Sequence, residues 1–358
     1  MKMKLTYVLA GIAFVLAMDA AALEVGDIVG CVARNNASTA TLDSYQEFLI
    51  GNASTPNPLK VQEGDDRRLG SADLLEAQSF ASSTMSSYLG SGNVYAQTFS
   101  GGVNYVGDLV GSEPSSGVIL IGAHIDSTQN HSGGSSAPGG ADNGTGVAGL
   151  LEAVRVLSQY EYEKTIRFVV FGREESGWDT DTGSWQYMQS LSDEEQAAIV
   201  SMTSFDMVGY NHEGNNTATL CIEDDTGLEW QNQFAVAITD YTTLELDLTK
   251  TSKWSDHHAF NEAGITSGLL VEELNDGNWP ENPYYHTTND YVIAADGSFQ
   301  TLEDGTTPYV DLDYATEMTK ATVGWAATQA EVIPEPATFA FMGVFGAGFF
   351  IVRRFFLI

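Results

Sequence analysis

Residues 119–146, ILIGAHIDSTQNHSGGSSAPGGADNGTG, constrain the fold more than any other part of this chain. They continue from Val118 as an unbroken apolar run, Val118-Ile119-Leu120-Ile121, the mark of a strand buried on both faces. Side chains in extended chain repeat every second residue, so His124 and Asp126 leave the end of that strand on the same side. A Gly/Ser/Pro loop follows, then Asp142 in the tight ADNGTG turn, then Val147, Leu150, Leu151 and Val154 at helical spacing. A histidine, a carboxylate two residues on and an isolated carboxylate at a loop-to-helix junction point to a metal site at the carboxyl edge of an α/β sheet.

Three further apolar runs extend the pattern. Residues 166–171 (IRFVVF), 199–207 and 267–271 read as strands, alternating with a helix over 147–157 and a charged helix around 192–198. Residues 95–99 and 103–110 read as an edge hairpin, and Ser71 as the N-cap of an amphipathic helix over 71–88. This alternation predicts an α/β fold: a mixed, mostly parallel, doubly wound sheet flanked by helices. Ligands gather at the carboxyl ends of such strands, and each end here carries acid or imidazole. IRFVVF runs into Gly172-Arg173-Glu174-Glu175, the third strand ends at Phe205-Asp206-Met207, and beyond the fourth come Tyr284-Tyr285-His286-Thr287-Thr288-Asn289-Asp290. With His124 and Asp142, the tally is two histidines and three carboxylates as ligands and one carboxylate left over. That inventory suits two zinc ions, each with one imidazole and one terminal carboxylate, bridged by the third carboxylate and a water.

GAHIDS, PGGADNGTG, REESG, SFDMVG and YHTTND stand in the order and rough spacing of the dizinc aminopeptidases, and the chain resembles that family over residues 71–328. The resemblance implies a secreted zinc exopeptidase with a phosphorylase/hydrolase-like core. It implies that His124 and Asp206 hold one zinc and Glu175 and His286 the other, with Asp142 bridging. Glu174 would be the general base, Asp126 would orient His124, and the Asp142–Asn143 peptide would be cis. The chemistry independently needs such parts: a water made acidic by metal, and a non-ligating carboxylate that takes its proton and returns it to the leaving amine. Asp126 and Asp290 are placed to meet the free ring nitrogens of His124 and His286. Tyr285 is a candidate donor to the tetrahedral oxyanion, with Tyr284 its rival. His257 and His258, in Trp254-Ser255-Asp256-His257-His258, are not expected as ligands, since the ligand set is already full. The Ser-Asp-His motif also occurs near the substrate pocket in that family, which implies a pocket role or one in support of the ligands. The segment Trp178-Asp179-Thr180-Asp181-Thr182 is longer than the usual link in that family and bears on pocket shape.

The ends read as addresses. Lys2 and Lys4, an apolar run over 5–18 and Ala20-Ala21-Ala22 form a signal peptide over 1–22. Pro334-Glu335-Pro336, an apolar segment and Arg353-Arg354 resemble the PEP-CTERM sorting signal of Gram-negative bacteria, which implies exosortase-type processing and transient membrane anchoring over 332–358. Residues 23–68, polar and weakly periodic, read as a lead-in or pro-segment with a flexible or processed junction at 64–68. The peptidase body is expected over 69–331. Acids outnumber bases 48 to 15, a formal charge of −33 that argues against nucleic-acid partners. The two cysteines, Cys31 and Cys221, are too few for a thiolate zinc site, and their pairing is open.

The expectation is therefore an exported, cell-surface or extracellular aminopeptidase acting on peptides with a free N-terminus. Two alternatives remain at this level: glutaminyl cyclase-like or carboxypeptidase chemistry on the same fold, and an inactive surface binding protein.

Overall fold

The computed structural model describes residues 24–35, 42–177 and 179–334. The signal peptide and nearly all of the sorting tail lie outside the described residues. Among the described residues, no helix is long and apolar enough to cross a membrane.

Eight strands among the described residues form one sheet: β1 (Val94–Phe99), β2 (Gly102–Leu109), β3 (Val118–His124), β4 (Thr165–Phe171), β5 (Ile199–Phe205), β6 (Thr217–Cys221), β7 (Glu245–Asp247) and β8 (Ser267–Val271). Their order is β1-β2-β4-β3-β5-β8-β6-β7. The pairs β4/β3, β3/β5, β5/β8 and β6/β7 are parallel, whereas β1/β2, β2/β4 and β6/β8 are antiparallel. The expected mixed, mostly parallel sheet is observed, and residues 95–99 and 103–110 do form the edge hairpin. β3 is central and buried along its whole length, as its apolar run requires. The chain leaves β3 to form β4 on one side and returns to form β5 on the other. This reversal opens a crevice at the carboxyl ends of β3, β4 and β5.

The helices are α1 (Val25–Val29), α2 (Tyr45–Ile50), α3 (Ala72–Leu89), α4 (Gly146–Leu157), α5 (Gly183–Ser190), α6 (Asp193–Ala198), α7 (Leu228–Tyr241), α8 (His257–Glu262) and α9 (Leu312–Gln329). Ser71 caps α3 by accepting from the Leu74 N–H at 3.1 Å, and Ser192 with Glu195 forms a capping box at the start of α6. α4 is apolar on nearly every face because it packs against the sheet, α9, α2 and α3. Its one buried acid, Glu152, pairs with Arg155 at 2.6 Å and accepts from the Ala33 N–H.

Residues 24–35 and 42–68 are part of this packing: Val25–Val332 form one compact unit, and Tyr45, Phe48, Leu49, Leu59 and Val61 are fully buried. The stretch 64–68, read from sequence as a flexible or processed junction, carries the fully buried Arg67. Cys31 and Cys221 are both unpaired thiols.

Candidate active site

Each of the five expected ligands reaches the same point from a different element. His124 is the last residue of β3, Asp206 follows β5, Asp142 sits in the turn before α4, Glu175 follows β4, and His286 lies in the long connection between β8 and α9. The Asp142 carboxylate is shared. Its Oδ1 lies 3.3 Å from His124 Nε2 and its Oδ2 lies 3.1 Å from His286 Nε2. Asp206 Oδ1 is 3.2 Å from His124 Nε2, and Glu175 Oε1 is 3.2 Å from His286 Nε2. Two clusters, each of one imidazole and two carboxylates, therefore meet at one side chain. Donors around a tetrahedral zinc with bonds near 2.0–2.1 Å stand about 3.3 Å apart. The donor types and their spacing fit two such ions.

Electrostatics follow from packing so many acids together. Burial opposes charge on His124, yet Asp206 and Asp142 hold its pKa well above the ordinary value. His286 is likewise raised to about 10 against its burial, by hydrogen bonds to Asp142 and Glu175. Asp142 is driven the other way: burial works to raise it, but both imidazoles hold it ionised and far below the usual range. Glu175 is pushed up to about 8 by burial and by the Asp142 charge. Glu174 is raised well above the carboxylate range by burial and by Glu175, Asp256 and Asp206, although His124 works in the opposite sense. One oxygen of Glu174 lies in a cluster with His124 and Glu175 whose ligand atoms are all within 4.8 Å of one another.

Three backbone positions with left-handed φ flank this chemistry: Arg173 before Glu174, Met207 after Asp206, and His286 itself. The Asp142–Asn143 peptide is cis, as the resemblance implied. Asn143 pins the turn to the end of β5, donating to Phe205 O at 2.9 Å and accepting from the Met207 N–H at 3.2 Å.

The supporting residues differ from the sequence reading. Asp126 was expected to orient His124 through its carboxylate, but its nearer oxygen is 4.0 Å from Nδ1. The backbone carbonyl of Asp126 takes that contact at 3.1 Å. The carboxylate instead accepts from the Glu174 and Glu175 N–H groups, at 2.9 and 3.2 Å, and so aims both glutamates. Asp290 was expected behind His286, yet it accepts from the Ala141 and Asp142 N–H groups and from the Tyr309 hydroxyl. The free nitrogen of His286 faces Asn130 Oδ1 at 3.2 Å. Asn130 gave no sequence signal beyond lying in the Gly/Ser loop. Ser255, inside the Ser-Asp-His motif, donates to Asp206 Oδ2 at 2.8 Å, a role its sequence position did not reveal.

A cavity of about 630 Å³ opens over the cluster. Its walls include Met207, Leu269, Val271, Leu274 and Tyr285, with the exposed rings of Trp254 and Trp279 at its edge. Tyr285 stacks on His286 with ring centroids 3.7 Å apart. Burial, then the surrounding carboxylates, push its phenol far up, which keeps it a hydrogen-bond donor. Tyr284 packs edge-on against Tyr309 instead, which separates the two rivals. His258 lines the cavity. His257 is buried beside it, its Nε2 against Ser252 O at 2.8 Å.

A sequence pattern for Peptidase family M28 matches residues 104–305. Aminopeptidase YwaD of Bacillus subtilis is 32% identical over 182 residues, which cover 49% of this chain and 36% of that protein. A probable leucine aminopeptidase of Arthroderma otae is 27% identical over 194 residues, covering 50% and 49%. The chain thus spans half or less of the length of these curated relatives. Among solved structures, the LapA aminopeptidase of Legionella pneumophila superposes with a TM-score of 0.64 at 21% identity, over 86% of this chain and 74% of that one. A glutaminyl cyclase from an Acidobacteriales bacterium superposes at 0.58 and 16% identity, over 83% and 97%. At such identities these likenesses speak to the fold alone. The family pattern runs through more than half of this chain, from the strand before β3 to the loop beyond His286, and the chain belongs to peptidase family M28.

Proposed function

We propose that this protein is an exported aminopeptidase that holds two zinc ions and removes the first residue from peptides with a free N-terminus. The observation that carries the reading is the shared Asp142 carboxylate, one oxygen at each of two imidazole–carboxylate clusters, beside a glutamate not needed as a ligand. In this reading His124 and Asp206 serve one ion, Glu175 and His286 the other, and Asp142 both. When bound, the ions supply a water acidic enough to ionise near pH 7 and an electrophile for the scissile carbonyl. Glu174 takes the proton of that water and returns it to the leaving amine. The Tyr285 hydroxyl donates to the oxyanion. The apolar walls favour a large apolar first residue, and the surrounding carboxylates attract its ammonium group. Export and exosortase-type processing of a transient membrane anchor rest on the terminal motifs in the sequence.

The test is zinc content together with a panel of aminoacyl-p-nitroanilides, for the wild type and Glu174→Ala. Two zincs in both proteins, with turnover reduced by about 10²–10⁴-fold in the variant, is the expected result. One zinc and cyclisation of N-terminal glutamine would favour the cyclase alternative. Neither metal nor turnover would leave a binding protein.

A further inference from the structure

We infer that Arg67 is a positioning residue of this site: its buried guanidinium braces the turn carrying Asp142, making the chain before α3 part of the reaction centre. The inference rests on the two-metal reading above, in which Asp142 is the shared ligand.

Arg67 is fully buried, and a guanidinium is stable there only with partners. Nη1 donates to the Leu59 carbonyl at 3.2 Å, and Nη2 donates to the Gly139 carbonyl. Gly139, in left-handed conformation at φ +62, opens the turn that contains Asp142. The backbone of Arg67 is tied on both sides as well. Its N–H donates to Ala137 O at 2.9 Å, and its carbonyl accepts from the Ser127 N–H at 3.1 Å. One residue thus joins the exit of β3 to the loop that leads into the turn.

Two of the four glycines of PGGADNGTG, Gly139 and Gly144, lie against this guanidinium. A Cβ on Gly139 would stand 2.5 Å from both Asp142 O and Ser127 Cβ and 2.7 Å from Nη2, and one on Gly144 would stand 2.7 Å from Val61 Cγ1 and 3.3 Å from Nη1. The guanidinium is thus one of several close neighbours packed against these two glycines.

Charge makes the same connection. Burial pushes the Arg67 pKa down to about 10, against the charges of Asp290, Asp142, Asp126 and Asp65, so the group is a cation at neutral pH. Three of those carboxylates shape the site. Asp142 is the shared ligand, Asp126 holds the two glutamate N–H groups, and Asp290 holds the N–H groups of Ala141 and Asp142. Arg67 is a positive charge fixed among them by the chain itself. A lysine would keep that charge but lacks the fork that reaches Leu59 and Gly139 together.

The experiment compares wild type, Arg67→Met and Arg67→Lys by steady-state kinetics, by the visible spectrum after cobalt replacement, and by hydrogen exchange of the 139–145 amides. For Arg67→Met, kcat should fall by about 10–100-fold with KM nearly unchanged, as for other residues that orient metal ligands. Its cobalt bands should shift, and its turn amides should exchange faster. Arg67→Lys should recover part of kcat while exchange stays fast. If Arg67→Met does not fold, Arg67→Lys decides alone, with lowered kcat and faster exchange expected. Wild-type kcat, spectrum and exchange in a folded variant would overturn the brace. The exchange readout needs neither metal nor turnover, so loss of the two-metal reading in the wild type would be recognised separately.

Discussion

His124 and His286 face the same carboxylate from opposite sides, yet their supports have little in common. His124 ends the central strand, its partner Asp206 follows the adjacent parallel strand, and a backbone carbonyl fixes its ring. His286 and its partner Glu175 both lie in loops, and its ring is held by the Asn130 side chain and by stacking on Tyr285. The His124 side chain is 1% exposed and that of His286 is 12% exposed. A ligand pair set by sheet register is stiff, because moving it means breaking strand pairing. A pair assembled from loops depends on side chains that grip one another, as Ser132 grips the Thr288 N–H. In the proposed two-zinc reading, the difference implies a firm metal position on the strand side and a weaker one on the loop side.

Asp142 belongs to both halves, so Asp142→Asn should erase the distinction. Turnover should fall by about 10³-fold or more, with neither ion retained after dialysis, because several kcal/mol of charge stabilisation is removed. Calorimetric zinc titration and residual hydrolysis check this, and retention of one tight ion would show that the halves do not share their ligand.

Asn130→Ala and Ser255→Ala sharpen the comparison from either side. Each removes one hydrogen bond behind a ligand, an effect of about 10–100-fold in metal affinity. Asn130→Ala should weaken only the second zinc to bind. Ser255→Ala should weaken the first, and by less, since the Asp206 N–H is also tied to Leu270 O. Equal losses on both ions in either variant would contradict a stiff and a loose half.

The smallest effect on turnover concerns acid stability on the strand side. Burial pushes the His257 pKa down to about 4, with the ring held neutral against the Ser252 carbonyl. The unfolded chain takes up a proton near pH 6.5, whereas the folded chain resists until about pH 4. Stability from this group is therefore full above pH 6.5 and lost as the pH falls to 4, by about 3 kcal/mol in all. His257→Gln should flatten that part of the curve of unfolding free energy against pH. A slope unchanged from wild type would mean that the ring is not buried neutral.

What could be read from the chain followed the same division. The β3 run, IRFVVF and SGLLV are strands because their own composition allows nothing else in a buried sheet, and His124, Glu174 and Asp206 lie at or just beyond strand ends. β6 and β7 were not legible: TATLC is weakly apolar and ELD is three residues long, so their pairing depends on β8 and on each other. α7 and α9 likewise follow from what they pack against. The five clustered histidines and carboxylates were legible because metal chemistry admits few residue types. Their supports were not, because any nearby oxygen can serve. Asp126 and Asp290 satisfy backbone N–H groups, while the Asp126 carbonyl and Asn130 meet the imidazoles.

By itself, the sequence determined the fold class, the order of the clustered histidines and carboxylates, and the family, since local periodicity and residue chemistry specify these. Tertiary structure alone decided which oxygen orients which ligand, which tyrosine faces the cavity, and that Arg67, far from the motifs along the chain, lies beneath the Asp142 turn. Those assignments depend on distances between segments that packing brings together and that no local pattern encodes.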